Sequence, residues 1–154
     1  MAFYGNLFSK RMGILGELPK KQMLEKLHAE VAKWQAADSS VKVIPALHYI
    51  AVTAQGSNSV NNKHRLRMPF RQIDTIVNWA KSIDAVVFLD IQVGHSSIKE
   101  EVVSLANYFK LPNVHLGIDP EFSMKNGETP GTKIGTFTAD DINDAIDFLA
   151  KIVR

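Results

Sequence analysis

The sequence predicts an α/β protein, a (βα)4 half of a TIM-type barrel with parallel strands and outer helices. Three observations carry this. Two short apolar runs stop on carboxylates: Val86-Val87-Phe88-Leu89-Asp90-Ile91-Gln92 and Val114-His115-Leu116-Gly117-Ile118-Asp119-Pro120-Glu121. One helical pattern, residues 97–110, lies between them, which is the spacing of a βαβ unit with parallel strands. The order strand, loop, helix then recurs four times along the chain, half of an eight-unit barrel. Active sites of parallel α/β folds gather at the C-terminal ends of the strands. Acids at two such ends therefore mark a candidate site.

Each element has its own signal. Residues 2–5 form a short first strand, and 6–16, with Gly13 and Gly16, a loop. Pro19 sits in the first turn of a helix that runs to about residue 37, where its missing N–H is harmless. Met23, Leu24, Leu27, Val31 and Trp34 recur at helical spacing. The second strand, 42–52, is apolar nearly throughout, as a strand covered on both faces would be. Pro45 belongs near its start or at a bulge, because proline removes a ladder hydrogen bond. The polar segment 53–69, with Gly56, Asn58, Asn61 and Asn62, reads as a long loop. A helix over 70–82 turns Ile73, Ile76, Val77 and Ala80 to one side.

The third strand is 85–91. Ser97 caps the next helix, and Glu100 three residues on completes a capping box. Ile98, Val102, Leu105 and Phe109 form that helix's apolar stripe. The fourth strand is 113–119, and a second long loop covers 120–137. Thr138 caps the last helix, with Asp141 at its third position. Asp140, Asp141 and Asp144 sit near its positive end, and Lys151 and Arg154 near its negative end. Ile142, Ala145, Ile146, Leu149 and Val153 are its expected core face. No linker or repeat divides residues 1–154, so a single domain is expected.

Composition narrows the function. Hydrophobic residues make up 45% and charged residues 22%, an ordinary globular balance. The formal charge of +2 is too small to suggest a nucleic-acid partner. The absence of cysteine excludes disulfides, thiol nucleophiles and thiolate zinc sites. No apolar run approaches the roughly 20 residues of a membrane helix. The start, Met1-Ala2-Phe3-Tyr4-Gly5-Asn6, lacks the charged and apolar regions of a signal peptide, so the expected location is cytoplasmic. No P-loop, GxGxxG or GxSxG pattern is present, and no cofactor is expected. No HExxH motif or His pair at ligand spacing points to a metal.

Asp90, Asp119 and Glu121 are the candidate catalytic acids. If Asp119 faces the barrel interior, so do Gly117 and His115; if Asp90 does, so do Phe88 and Val86. Gly117 leaves space below Asp119, and Pro120 turns the chain out of the strand. His48, Tyr49, Gln92 and His95 lie at strand ends or in βα loops and are candidate substrate contacts. Arg65 and Arg67 join them as docking points for an anionic group, although solvated loop charge is the plainer reading of Lys63, His64, Arg65 and Arg67. His115 reads as a buried structural residue, and His28 and His64 as surface residues. Asp90, Asp119, Glu121, His48 and His95 could also converge as metal ligands.

The stretches Tyr4-Gly5, Gly13-Ile14-Leu15-Gly16, Val43-Ile44-Pro45-Ala46, Leu89-Asp90-Ile91-Gln92-Val93-Gly94 and Leu116-Gly117-Ile118-Asp119-Pro120-Glu121-Phe122, followed by Ile134-Gly135, resemble an uncharacterised bacterial family. Its members, hypothetical proteins and lipoproteins, are taken to have a TIM-barrel, glycoside-hydrolase-like fold. The resemblance covers nearly the whole chain and the first half of that barrel. Many relatives carry an acid where this chain has His48.

Together these lead to an expected glycoside hydrolase that works through paired carboxylates, Glu121 as the acid and Asp119 or Asp90 as its partner. The alternatives are a metal-dependent phosphoesterase and a non-catalytic carbohydrate-binding or structural half-barrel. The expected partners are a small-molecule or carbohydrate substrate and a second copy of the chain. A half-barrel sheet leaves two free edges and one uncovered apolar face, and a homodimer would close both.

Overall fold

The computed structural model describes residues 1–57 and 60–153; Asn58 and Arg154, assigned above to a loop and a helix end, lie outside the described residues. The strands are β1 (Ala2–Gly5), β2 (Ala46–Ala54), β3 (Arg65–Arg67), β4 (Val86–Ile91) and β5 (Val114–Ile118). The helices are α1 (Ile14–Glu17), α2 (Lys20–Ala37), α3 (Phe70–Lys81), α4 (Ile98–Ser104), α5 (Ala106–Phe109) and α6 (Ala139–Ile152). The fold is α/β, with a parallel sheet ordered β1-β2-β4-β5 and β3 paired to β2. The chain divides into two compact units: Met1–Tyr49 with Pro69–Phe88, and Ile50–Met68 with Leu89–Arg154.

In the first unit β1 runs parallel to β2, from Ala2 opposite Ala46 to Gly5 opposite Tyr49. Pro45 precedes β2 rather than interrupting it, so no ladder bond is lost. Its carbonyl accepts a bond from Val86 N at 3.1 Å. Strand parity separates two faces. On one, Phe3, Leu47 and Tyr49 are buried, and the Tyr49 hydroxyl bonds Gln72 of α3 at 2.6 Å. On the other, the His48 ring meets Tyr4 edge-on at 5.0 Å and Phe88 at 5.5 Å.

Helix α2 begins after Pro19, as its N-terminal signal requires. Only Met23 and Leu27 of the expected stripe are buried, and Trp34 is 59% exposed. Gln35 then guides the chain into β2. Its amide donates to Asp38 O and Val41 O at 3.2 and 2.7 Å, and its oxygen accepts from Val43 N at 2.9 Å. One side chain thus satisfies three backbone groups of a connection with no ladder of its own. Helix α3 buries all four residues assigned to its inner face.

In the second unit the expected loop 53–69 is corrected. Strand β2 continues to Ala54, and β3 returns antiparallel, with Val52 opposite Arg67 and Ala54 opposite Arg65. Asn61, Asn62 and His64 make the turn with φ of 61°, 57° and 48°. Asparagine is among the few side-chain-bearing residues that tolerate this region. The Arg65-Leu66-Arg67 alternation is a three-residue strand pattern, too short to stand out from a polar loop.

The helix expected over 97–110 is two helices that break at Leu105, yet Ile98, Val102, Leu105 and Phe109 are all buried. Ser97 caps α4 by accepting from Glu100 N at 3.2 Å. Thr138 and Asp141 form the full capping box of α6. The α6 core face is smaller than its pattern suggests: Ala145 is buried, but Ile146 and Val153 are 55% and 65% exposed. His115 is corrected too, because it lies exposed on β5. Among the described residues, no helix is long and apolar enough to cross a membrane.

Gly16 sits so close to the preceding loop that an added methyl carbon would lie 1.9 Å from Asn6 O. Gly16→Ala therefore requires backbone movement. We expect a loss of about 1–3 kcal/mol, read as a lower urea midpoint with an unchanged slope.

Candidate active site

The site residues of the second unit come from the ends of β4 and β5. Asp90 is the penultimate residue of β4, and Gln92 follows that strand. Both are buried, at 3% and 5% exposure. Gln92 N donates to Val52 O at 2.9 Å, and the Gln92 side-chain oxygen accepts from Ala54 N at 3.0 Å. The remaining amide hydrogens are directed onward, and Nε2 donates to Asp119 Oδ2 at 3.1 Å. Asp119 follows β5, and its own N–H donates to Ile91 O at 3.2 Å. Backbone ladder and side-chain bridge therefore fix the two strand ends together.

Burial raises the Asp119 carboxyl above the ordinary carboxylate range, and the negative charges of Asp90 and then Glu121 raise it further. Hydrogen bonds from the Gln92 amide and the Glu121 backbone N–H oppose this without cancelling it. Glu121 itself is exposed, in the short 3-10 turn Pro120–Phe122. Its carbonyl accepts from Gly135 N at 2.7 Å, which draws the long loop back to the strand end. Beside it is a cleft of about 260 Å³ lined by Glu121, Phe122, Gly131, Thr132, Lys133 and Ile134.

The basic cluster is corrected. Arg65 and Arg67 are not solvated loop charges; they clamp Glu101 of α4. Arg65 Nε donates to Glu101 Oε1 and Arg67 Nε to Glu101 Oε2, both at 2.7 Å. Ser96 Oγ adds a third bond to Oε1 at 2.6 Å. The Glu101 side chain is 0% exposed. Lys63, Arg65 and Arg67 also lie 3.5, 3.1 and 3.3 Å from Glu100. Glu100 thus turns to the cations rather than completing the capping box with Ser97. Burial acts to raise its carboxyl, but the Ser96 hydroxyl and the Lys63 and Arg65 charges outweigh it, and the net shift is downward. Arg65 and Arg67, expected to bind substrate, are engaged within the protein. The residue missed was Glu101. Its signal was position, three residues after Ile98 and four before Leu105, on the apolar stripe of its own helix.

His95 lies in the loop after β4, but its Nε2 is taken by Glu128 O at 2.7 Å. Its ring lies 4.3 Å from His64. His64 is half-buried, not a surface residue, with Nδ1 3.1 Å from Gln55 O. Gly94 lets these segments touch. At φ 57°, an added methyl carbon there would lie 2.4 Å from His64 O. In the first unit, Tyr49 has no exposed surface and its hydroxyl is bonded to Gln72, so it has no face for substrate. His48, on the opposite face of the strand, keeps partial exposure between Tyr4 and Phe88. Among the described residues, no three His, Asp or Glu side chains are gathered to hold a metal ion. The five-ligand set read from the sequence is not assembled.

Removing one partner of a buried, bonded ion pair leaves the others buried and unpaired. Glu101→Ala is expected to lose about 3–5 kcal/mol in urea unfolding. Glu100→Ala, whose side chain is 41% exposed, should lose no more than about 1 kcal/mol. The Glu100 contribution has an acid edge. Its carboxyl is lowered in the folded state, so its stabilisation is full above the ordinary value of 4.5 and is lost as pH falls through the lower folded value. No protein-family model, curated protein or solved structure matches this chain.

Proposed function

We propose that Asp90, Gln92 and Asp119 form the acid–base centre of a hydrolase acting on glycosidic bonds, with a carbohydrate as substrate. The observation that supports this most is the raised Asp119 carboxyl beside a second buried acid. Glycosidic cleavage needs one carboxyl held protonated and one ionised, and environments that push two acids apart produce that division. Asp119 is the proton donor to the leaving oxygen. Asp90 is the partner carboxylate, acting on water or on the anomeric carbon. Gln92 holds Asp119 through Oδ2, and the backbone N–H of Glu121 also bonds the Asp119 carboxyl, so the donor is positioned from two sides. Glu121, the acid favoured by the sequence, serves at the rim, where its exposure beside the cleft suits it to bind substrate hydroxyls.

Turnover of aryl glycosides tests this. Asp90→Asn and Asp119→Asn should each lower kcat by about 10²-fold or more. The Asp119→Asn loss should be greater on substrates with poor leaving groups, which need the proton. Undiminished turnover in either variant would remove that residue from the chemistry. Stability should move the other way. A carboxyl raised in the folded state binds its proton more tightly there, so its penalty grows as pH rises from the unfolded value to the folded one. Asp119→Asn should therefore raise Tm at neutral pH and leave it little changed in acid.

The finer reading of the architecture, a (βα)4 half-barrel completed by a second copy, is part of the same proposal. The parallel order β1-β2-β4-β5 supports it. So does the first unit, where the sheet face carrying Tyr4, His48 and Phe88 keeps partial exposure while the Tyr49 face is buried. Light scattering on a sizing column should return twice the chain mass; a stable monomer at micromolar concentration would overturn the dimer.

A further inference from the structure

We propose that His64 and His95 form a two-imidazole site for a divalent d-block cation, of the Zn2+, Ni2+ or Cu2+ type. The argument starts from which nitrogens carry hydrogen. A backbone carbonyl only accepts hydrogen bonds. His64 Nδ1 faces Gln55 O at 3.1 Å, so Nδ1 is the protonated nitrogen of that ring. His95 Nε2 faces Glu128 O at 2.7 Å, so Nε2 is the protonated nitrogen of the other. In the neutral rings, the lone pairs are left on His64 Nε2 and His95 Nδ1. This is the arrangement of metal-binding histidines, whose second N–H is held by a carbonyl that fixes tautomer and orientation.

The two rings lie 4.3 Å apart and tilt by 38°. Ring centres at this separation are compatible with one ion bonded to a nitrogen of each ring at about 2.0–2.1 Å. The backbone beneath is cross-linked by hydrogen bonds. His95 N donates to Lys63 O at 2.8 Å, Gln55 N donates to His64 O at 2.8 Å, and Met124 N donates to Gly94 O at 3.0 Å. Nearby positive charge does not bar a cation. Lys63 and Arg65, which flank His64 in sequence, are paired with Glu100 and Glu101. Imidazole donors suit zinc, nickel and copper, and water completes the remaining positions. The site uses none of the side chains of the Asp90–Asp119 centre and does not rest on the proposed function.

Calorimetric titration of tag-free protein with ZnCl2 and CuCl2, in a non-coordinating buffer, tests the site. One equivalent should bind, with affinity falling as pH drops and protons compete for the rings. His64→Ala and His95→Ala should each weaken binding by about tenfold or more. His28→Ala and His115→Ala, which change exposed histidines elsewhere, should leave it within twofold. Wild-type protein with 15N-labelled histidine provides a measurement free of folding effects. Zinc should shift His64 Nε2 and His95 Nδ1, while His64 Nδ1 and His95 Nε2 stay protonated. Absence of stoichiometric binding, equal loss in the His28 or His115 variants, or metallation of the other two nitrogens would each overturn the site.

Discussion

The second unit depends on one buried carboxylate. Glu101 has no exposed side-chain surface, and its two oxygens are held by Arg65, Arg67 and Ser96. An isolated charge in such a place would be driven out or neutralised; a charge with three directed donors is retained. The three donors come from β3 and from the loop after β4. The bonds therefore tie a strand of only three residues to the first turn of α4, and through Ser96 to the end of β4. The hydrophobic stripe of α4 and α5 sets which way the helices face. The ion cluster sets where along β3 they stop.

The same unit moves two acids in opposite directions with the same forces. Glu100 is surrounded by Lys63, Arg65 and Arg67 and lies below its ordinary value. Asp119 is set among burial, Asp90 and Glu121, with two neutral donors, the Gln92 amide and the Glu121 backbone N–H, and lies above it. Opposite charge within hydrogen-bond reach defeats desolvation in the first case, and like charge adds to it in the second. Lys63, Arg65 and Arg67 pair with Glu100 and Glu101, and among the described residues no cation acts on Asp119. One small unit thus holds one carboxyl lowered among ion pairs and another raised by burial and like charge.

Close backbone approach is the other constraint at the strand ends. Gly94 sits against the carbonyls of Lys63 and His64, and His95 donates its N–H to Lys63 O. A side chain at Gly94 would force the two segments apart. The His64–His95 ring contact, the Ser96–Glu101 bond and the Met124–Gly94 bond all lie within two residues of that contact. The β4 loop is thus organised by backbone bonds first, with the side chains placed as a consequence.

Much of this was written locally in the sequence. The run to Asp90, the run to Asp119, the Pro19 helix start, the Thr138–Asp141 capping box and the inner face of α3 follow from nearest-neighbour chemistry and period, and the structure repeats them. Residues whose role depends on a distant partner were read differently. Arg65 and Arg67 looked like solvent charge because their partner lies more than thirty positions away. Trp34, Ile146 and Val153 fitted a helical stripe yet stay exposed, since period states which side a residue occupies and not whether anything covers it. His115 kept strand parity and lost the burial inferred from it. The sequence by itself determined the α/β class, most elements and the two acidic strand ends, because these rest on short-range propensity and alternation. Only the tertiary structure decided which charges pair, which acid is raised and which nitrogens of His64 and His95 face a backbone carbonyl, because each is set by groups apart in the chain and brought within hydrogen-bond reach by folding.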